Sequence, residues 1–206
     1  MRILFQGDSI TDADRIRDNI TDMGLGYALL VKAELGFENP SKYEFINKGI
    51  GGNRIVDVYA RIKDEIIELK PDVMSLLVGV NDVWHDLHEI PNGIDSEKFY
   101  KIYKMLVSEI KEALPDIKIM IMEPYVLKGT GTEAHWEWFR EEVEKRAAVA
   151  RRIAEEYGLI FIPLQKKLDD AEKVAPCEYW LRDGVHPTAM GHELIKREWI
   201  KAFNTL

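Results

Sequence analysis

Cysteine is almost absent: Cys177 is the only one in 206 residues. An intrachain disulfide is therefore excluded, and a reducing compartment, with a cytoplasmic location, is the expectation. The N-terminus runs from Met1 straight into apolar Ile3-Leu4-Phe5, with no long apolar stretch and small-residue cleavage site of a secretory leader. No apolar run approaches the ~18 residues of a membrane span. Basic charge is also short. Lys and Arg total 28 against 36 Asp and Glu, a net charge of -8. A general nucleic-acid binder needs a basic face, so that class is set aside. Internal repeats, low-complexity tracts and linkers are missing too, and this length suits one domain over residues 1–206.

What is present is enough apolar material for a core: 46% of residues are hydrophobic and 31% charged, which places the chain outside the disordered class. Short apolar runs lie at Ile3–Phe5, Tyr43–Asn47, Val73–Val78, Ile117–Met122 and Leu159–Ile162. They lack clean alternation, as strands covered on both faces do. Between them the apolar residues recur at helical spacing, in Tyr27–Leu35, Ile55–Leu69, Glu97–Leu114, His135–Tyr157, Gln165–Lys173 and Ala189–Phe203. Gly36, Pro71, Pro115 and Gly158 each stand just past such a pattern, where helices stop. Strand–helix alternation of this kind predicts an α/β fold, a doubly wound parallel sheet of about five strands with helices on both faces. The irregular segments Gly7–Met23, Gly49–Arg54, Gly79–Gly93 and Glu123–Ala134 follow strands. They gather at the carboxyl edge of the sheet, where ligands of such folds bind.

Three of these loops, with a last loop at Cys177–His186 before the final helix, carry candidate chemistry, and each alone admits a plainer reading. Ser9 follows the first strand and is either a presented hydroxyl or an ordinary turn or N-cap residue. Asn47-Lys48-Gly49-Ile50-Gly51-Gly52-Asn53 is either a source of backbone donors for an oxyanion or a strand-to-helix turn. It lacks the Lys-Ser/Thr of a phosphate-binding loop. Asn81, in Gly79-Val80-Asn81-Asp82, offers amide donors or makes an Asx-turn. Asp183-Gly184-Val185-His186 can set a carboxylate against one imidazole nitrogen while the other faces outward, the acid–base pair of a serine hydrolase. Its plainer readings are an Asp-Gly turn with a capping histidine, or two metal ligands. The metal reading lacks further ligands, and His85 with His88, spaced for one helical face, would need two partners that the sequence does not name. Taken together the four loops supply a nucleophile, two neutral donors and an Asp–His pair, which no single plain reading explains.

In that order and spacing the motifs resemble the GDSL, or SGNH, hydrolase family. Gly7-Asp8-Ser9-Ile10 looks like its first block, with Ile10 for leucine. Asn47-x-Gly49-x-x-Gly52 resembles the second, Gly79-x-Asn81-Asp82 the third, and Asp183-x-x-His186 the last. The likeness spans nearly the whole chain. It implies a flavodoxin-like three-layer α/β/α sandwich with a five-stranded parallel sheet. It also implies a serine esterase with Ser9 as nucleophile, His186 as base and Asp183 as its orienting acid. The oxyanion donors would be the N–H groups of Ser9 and Gly52 and the Asn81 amide, and no metal or other cofactor is implied. Asn81-Asp82-Val83-Trp84 and Val185-His186-Pro187 through Gly191-His192 look most like carbohydrate acetylesterases, the acetylxylan esterase type. The expected partner is then a small-molecule ester, an acetylated sugar, with neither nucleic acid nor membrane involved. Lysophospholipase, thioesterase and arylesterase activities on the same scaffold, and a non-catalytic carbohydrate-binding relative, are the alternatives.

Three aromatic positions bear on that substrate. Trp84 stands one helical turn beyond Asn81 if the loop coils there. It then walls an acyl pocket or stacks on a sugar, or else closes the loop as a core aromatic. Trp136 and Trp138 open the His135–Tyr157 pattern as candidates for a substrate groove, a contact in a homo-oligomer or simple core packing. Cys177 is expected to be buried and inert.

Overall fold

The computed structural model describes residues 1–206. The chain enters through β1 (Arg2–Gly7) and turns at once into a one-turn helix, α1 (Ser9–Asp12). Then follow α2 (Tyr27–Glu38), β2 (Glu44–Asn47), α3 (Ile55–Ala60), β3 (Val73–Leu77), α4 (Val80–Trp84), α5 (Ser96–Ala113), β4 (Lys118–Met122), α6 (Trp136–Tyr157), β5 (Ile160–Ile162), α7 (Gln165–Glu172), α8 (Cys177–Trp180) and α9 (Ala189–Phe203). All strand pairs are parallel, in the order β2-β1-β3-β4-β5. This is the flavodoxin-like order, whose switch point falls between β1 and β3. The predicted fold class is the one found.

Strand side chains alternate between the faces of the sheet and build two cores. Ile3, Phe5, Met120 and Met122 join one core with Val31 of α2 and Trp199 of α9. Leu4, Met74, Ile119 and Ile121 join the other with Val58 of α3 and Leu106 of α5. The long α6 serves both: Phe139 and Val143 belong to the first core, Ala150 and Ile153 to the second. Full burial on both faces is why the strands read as unbroken apolar runs. Each buried Leu, Ile or Phe contributes about 1.5–3 kcal/mol, and this burial holds the helices against both faces of the sheet. No helix is long and apolar enough to cross a membrane.

One predicted helix is broken. Ile55–Leu69 reads as a single stripe, but α3 stops at Ala60 and the chain continues as a π-helical turn, Lys63–Ile67. At the break stands Arg61, whose guanidinium turns inward to donate to Asn53 Oδ1 (3.0 Å), Lys48 O (2.9 Å) and Gln6 Oε1 (2.9 Å). These bonds tie the chain at the break to the loop after β2. Conversely, two loops expected to be irregular coil into α1 and α4.

Candidate active site

Four chain segments far apart in sequence meet at the carboxyl edge. Ser9 opens α1 directly after β1. Asp8 is the N-cap of that turn and its Oδ1 accepts the Ile10 N–H at 3.0 Å. Ser9 Oγ lies 3.0 Å from His186 Nε2, and His186 Nδ1 lies 2.7 Å from Asp183 Oδ2. The other carboxylate oxygen, Asp183 Oδ1, accepts the N–H groups of Val185 (2.9 Å) and His186 (2.8 Å). The acid is thus fixed by its own turn before it meets the ring.

The electrostatics settle the tautomer. Burial opposes ionisation of Asp183, but hydrogen bonds from the His186 ring and from the two backbone N–H groups outweigh it and bring the carboxyl down to about 2. An ionised carboxylate only accepts, so the hydrogen of neutral His186 sits on Nδ1 and Nε2 is free to accept the Ser9 hydroxyl proton. The same Asp183 bond raises His186 above its ordinary value, against burial, with the Asp8 charge adding to the rise. Asp8 is fully buried, and burial lifts its carboxyl to about 7.

The loop after β2 closes the other side of Ser9. Gly52 has φ +82°, and a Cβ there would meet no atom within 4 Å, because the residue faces open space. Its N–H makes no hydrogen bond within the protein. The N–H of Ser9, at the first position of a helix, is of the kind left without an intrahelical partner. Asn81 comes from α4. Its Nδ2 donates to Asn53 O at 3.2 Å, which spends one of the two amide hydrogens and leaves the other for the groove. The neighbouring Asp82 carboxylate accepts the Ile55 N–H with both oxygens (3.1 Å each), so α4 grips the Gly52 loop at two points.

The resulting groove, about 300 Å³, is lined by Ser9, His186, Gly52 and Asn81 together with Trp84, His85 and His88. Trp84 both lines the groove and packs on the core. Its ring packs edge-on against buried Phe139 (5.7 Å between centroids, 88°) and stands 5.8 Å from the His186 ring. Trp136 and Trp138 do not reach the groove: Trp136 packs half-buried on the core, and Trp138 is 39% exposed with its edge to Phe139. Cys177 is buried, its thiol raised to about 11 by burial.

Several residues that sequence reasoning left without a role shape the site. Asn47 staples the second loop to the nucleophile turn, donating to Thr11 O (2.7 Å) and Met23 O (2.9 Å) and accepting the Gly49 N–H (2.9 Å). Gly49 must be glycine, since a Cβ would lie 2.3 Å from the Asp12 backbone nitrogen. Asp12 in turn accepts the Gly51 N–H at 2.9 Å. His85 and His88, weighed from sequence only as metal ligands, line the groove, and no cluster of three or more His, Cys, Asp or Glu that could hold a metal exists in the structure. Their signal was present: Asn81, Trp84, His85 and His88 fall at i, i+3, i+4 and i+7, one face of a coil.

Residues 5–194 match the model of the GDSL-like lipase/acylhydrolase family. The chain belongs to that family. An acetylxylan esterase of Geobacillus stearothermophilus is 30% identical, over 97% of this chain and 92% of its own. A GDSL-like lipase from Parabacteroides merdae superposes with a TM-score of 0.91 at 33% identity, covering 100% of this chain and 96% of that one. The acetylxylan esterase Axe2 from Geobacillus stearothermophilus superposes with a TM-score of 0.87 at 28% identity, covering 98% and 93%. Axe2 has also been solved as catalytic mutants in which a serine, an aspartate or a histidine is replaced by alanine. This GDSL-family chain is accordingly a carboxylic ester hydrolase.

Proposed function

We propose that this esterase removes short acyl groups, acetyl above all, from the hydroxyls of a carbohydrate such as acetylated xylo-oligosaccharide, with Ser9, His186 and Asp183 as its catalytic residues. The observation that carries the substrate class is the lining of the groove, which is open and offers no apolar channel. Trp84 is its single hydrophobic side chain. A long acyl chain gains about 0.8 kcal/mol per buried CH₂ only where an apolar wall receives it, and none lies beside Ser9. An acetyl group needs only the Trp84 edge, and a sugar needs polar neighbours. Similarity to acetylxylan esterases over nearly the whole chain supports the same reading.

The steps follow from the hydrogen bonds. His186 Nε2 takes the Ser9 proton as Oγ attacks the ester carbonyl carbon. Asp183 accepts the Nδ1–H and stabilises the imidazolium that forms. The carbonyl oxygen, now an anion, is met by the N–H groups of Ser9 and Gly52 and by the free Asn81 amide hydrogen. His186 then gives its proton to the leaving sugar oxygen. Water, deprotonated by the same nitrogen, attacks the acyl-serine and releases the carboxylic acid and Ser9. No step calls on a metal or organic cofactor.

The test is substrate preference. Acetate release from acetylated xylo-oligosaccharide is compared with hydrolysis of octanoyl p-nitrophenyl ester, a lysophospholipid and an acyl thioester. The sugar acetate is expected to have the highest kcat/KM. Preference for the octanoyl ester or the lysophospholipid would replace this reading with a lipid-ester one.

A further inference from the structure

Three imidazoles line one small groove, and the acyl transfer uses only His186. The other two come from a single coil. α4 runs on without a break into a 3₁₀ turn, His85–Leu87, so Asn81, Trp84, His85 and His88 share a face. The His85 and His88 rings stack with centroids 4.6 Å apart and planes 29° from parallel. The coil beneath them is held rigidly: His85 O accepts the Asn92 N–H (3.0 Å), the Asp86 carboxylate the Gly93 N–H (2.9 Å), and Asp82 O the Ile94 N–H (2.8 Å). Buried Arg146 fixes that returning strand of chain in turn, donating to Ile94 O at 2.6 Å. The backbone that carries the two rings is thus set before any ligand arrives, and the rings lie stacked in the mouth of the site, His85 half-buried and His88 exposed.

We propose that His85 and His88 form the sugar subsite of this esterase, hydrogen-bonding through their paired imidazoles to the hydroxyls of the carbohydrate from which the acyl group is removed; the inference rests on the carbohydrate reading above. The chemistry of the pair selects this ligand. A neutral imidazole offers one donor and one acceptor, which matches a hydroxyl, itself both. Burial, followed by the charges of His88 and Arg54, lowers His85 from its ordinary value and keeps it in that neutral form. An acetyl methyl gains nothing from such groups, which places the pair on the alcohol side of Ser9. A metal is the poorer ligand, because no third donor joins the two rings.

The test compares wild type with the double substitutions His85→Ala/His88→Ala and His85→Gln/His88→Gln, on acetylated xylo-oligosaccharide and on ethyl acetate, whose alcohol carries no further hydroxyl. The alanine variant is expected to lower the ratio of kcat/KM on the sugar ester to that on ethyl acetate at least tenfold. The loss should lie in KM rather than kcat, with the inhibition constant of the deacetylated oligosaccharide rising in parallel. Glutamine, which keeps a donor and an acceptor, should recover most of the ratio. Equal losses on both esters, with the ratio unmoved, would overturn the subsite and make the pair a structural prop. So would an unchanged KM for the sugar ester. A wild-type enzyme that cleaves ethyl acetate but not the sugar ester would overturn the carbohydrate reading itself, and the subsite with it.

Discussion

The two edges of the sheet make opposite use of the same strands. At the amino edge lies the larger depression, about 570 Å³, walled by Tyr43, Pro71, Leu114, Ile117 and Phe203 with lysines and aspartates at its rim. It contains no serine, histidine or cysteine. At the carboxyl edge the groove is about 300 Å³ and open, yet Ser9, His186, Gly52 and Asn81 converge there. Volume therefore does not mark the site. Direction does: strand carboxyl ends deliver the chain into turns whose first N–H groups are unspent, and α1 and α4 both begin there. The amino edge receives the ends of α5 and α9 instead, where carbonyls rather than N–H groups are left over.

The sharpest way to break this contrast is to remove the hydroxyl. Ser9→Ala is expected to lower kcat on the order of 10⁵-fold or more, because the remaining groups bind substrate but have nothing to acylate. Single-turnover acetate release measures it. A variant that kept a tenth of the wild-type rate would move the chemistry away from this edge.

Next comes the acid. Asp183→Asn leaves the shape but loses the accept-only oxygen that fixes the hydrogen on Nδ1, and a fall in kcat of about 10³–10⁴ is expected. The pH profile gives a second readout. His186 must be neutral to take the Ser9 proton, so kcat/KM rises with pH to a plateau. Because Asp183 raises His186, the midpoint lies above the ~6.5 of a free imidazole. In Asp183→Asn that support is lost and the midpoint should drop. An unmoved midpoint would mean that another group titrates.

Smaller again is the loss of one oxyanion donor. Asn81→Ala should cost about 10²–10³ in kcat with KM nearly unchanged, since the amide is needed only when charge has built up on the carbonyl oxygen. A change confined to KM would make Asn81 a ground-state contact.

How much of this was legible in the chain depends on what each residue does. The strands were readable because burial on both faces leaves an unbroken apolar run, and Ser9, Gly52, Asn81, Asp183 and His186 because their motifs are local. The groove wall was legible only in part: the helical spacing of Asn81, Trp84, His85 and His88 is in the chain, but it forms a wall only if α4 coils through a segment that reads as a polar loop around Asn81-Asp82. The break after Ala60 was not legible; there Arg61 meets Gln6, a residue 55 positions away. His192 shows the same limit. Read only as part of a motif near the candidate base, it is buried and structural. Its Nδ1 accepts the Tyr27 N–H at 3.1 Å and so caps α2, which has no side-chain cap at Gly26.

That role gives a prediction for stability rather than rate. Burial holds His192 down to about 4, so below pH ~6.5 the unfolded chain takes up a proton that the folded chain refuses. Stability from this group is complete above pH ~6.5 and is lost as pH falls toward 4, by on the order of 3 kcal/mol in all. Buried Asp8 and Asp82, lifted to about 7 and about 8, contribute with the opposite sign over an overlapping window. Urea unfolding at pH 7 and pH 5 therefore has to be read as a difference between wild type and His192→Gln. The wild type should lose more stability, relative to the variant, as the pH falls. Equal slopes would mean that the ring takes up its proton as readily in the folded protein as in the unfolded chain.

The smallest effect is expected at the other edge and tests the contrast from its empty side. Lys118 starts β4 at the rim of the larger depression and is exposed. A five-residue strand separates it from the carboxyl edge, roughly 17 Å. At physiological salt the screening length is about 8 Å, so reversing this charge in Lys118→Glu should barely reach His186. The backbone N–H of Lys118, which donates to Asp72 O at 2.9 Å, is untouched by the substitution. Both kcat/KM and the pH midpoint should stay within twofold and a few tenths of a unit of wild type, since only a screened field and no contact connects the two edges. A tenfold change would show that the amino-edge depression communicates with the groove through the strands, and that the division of labour between the edges is incomplete.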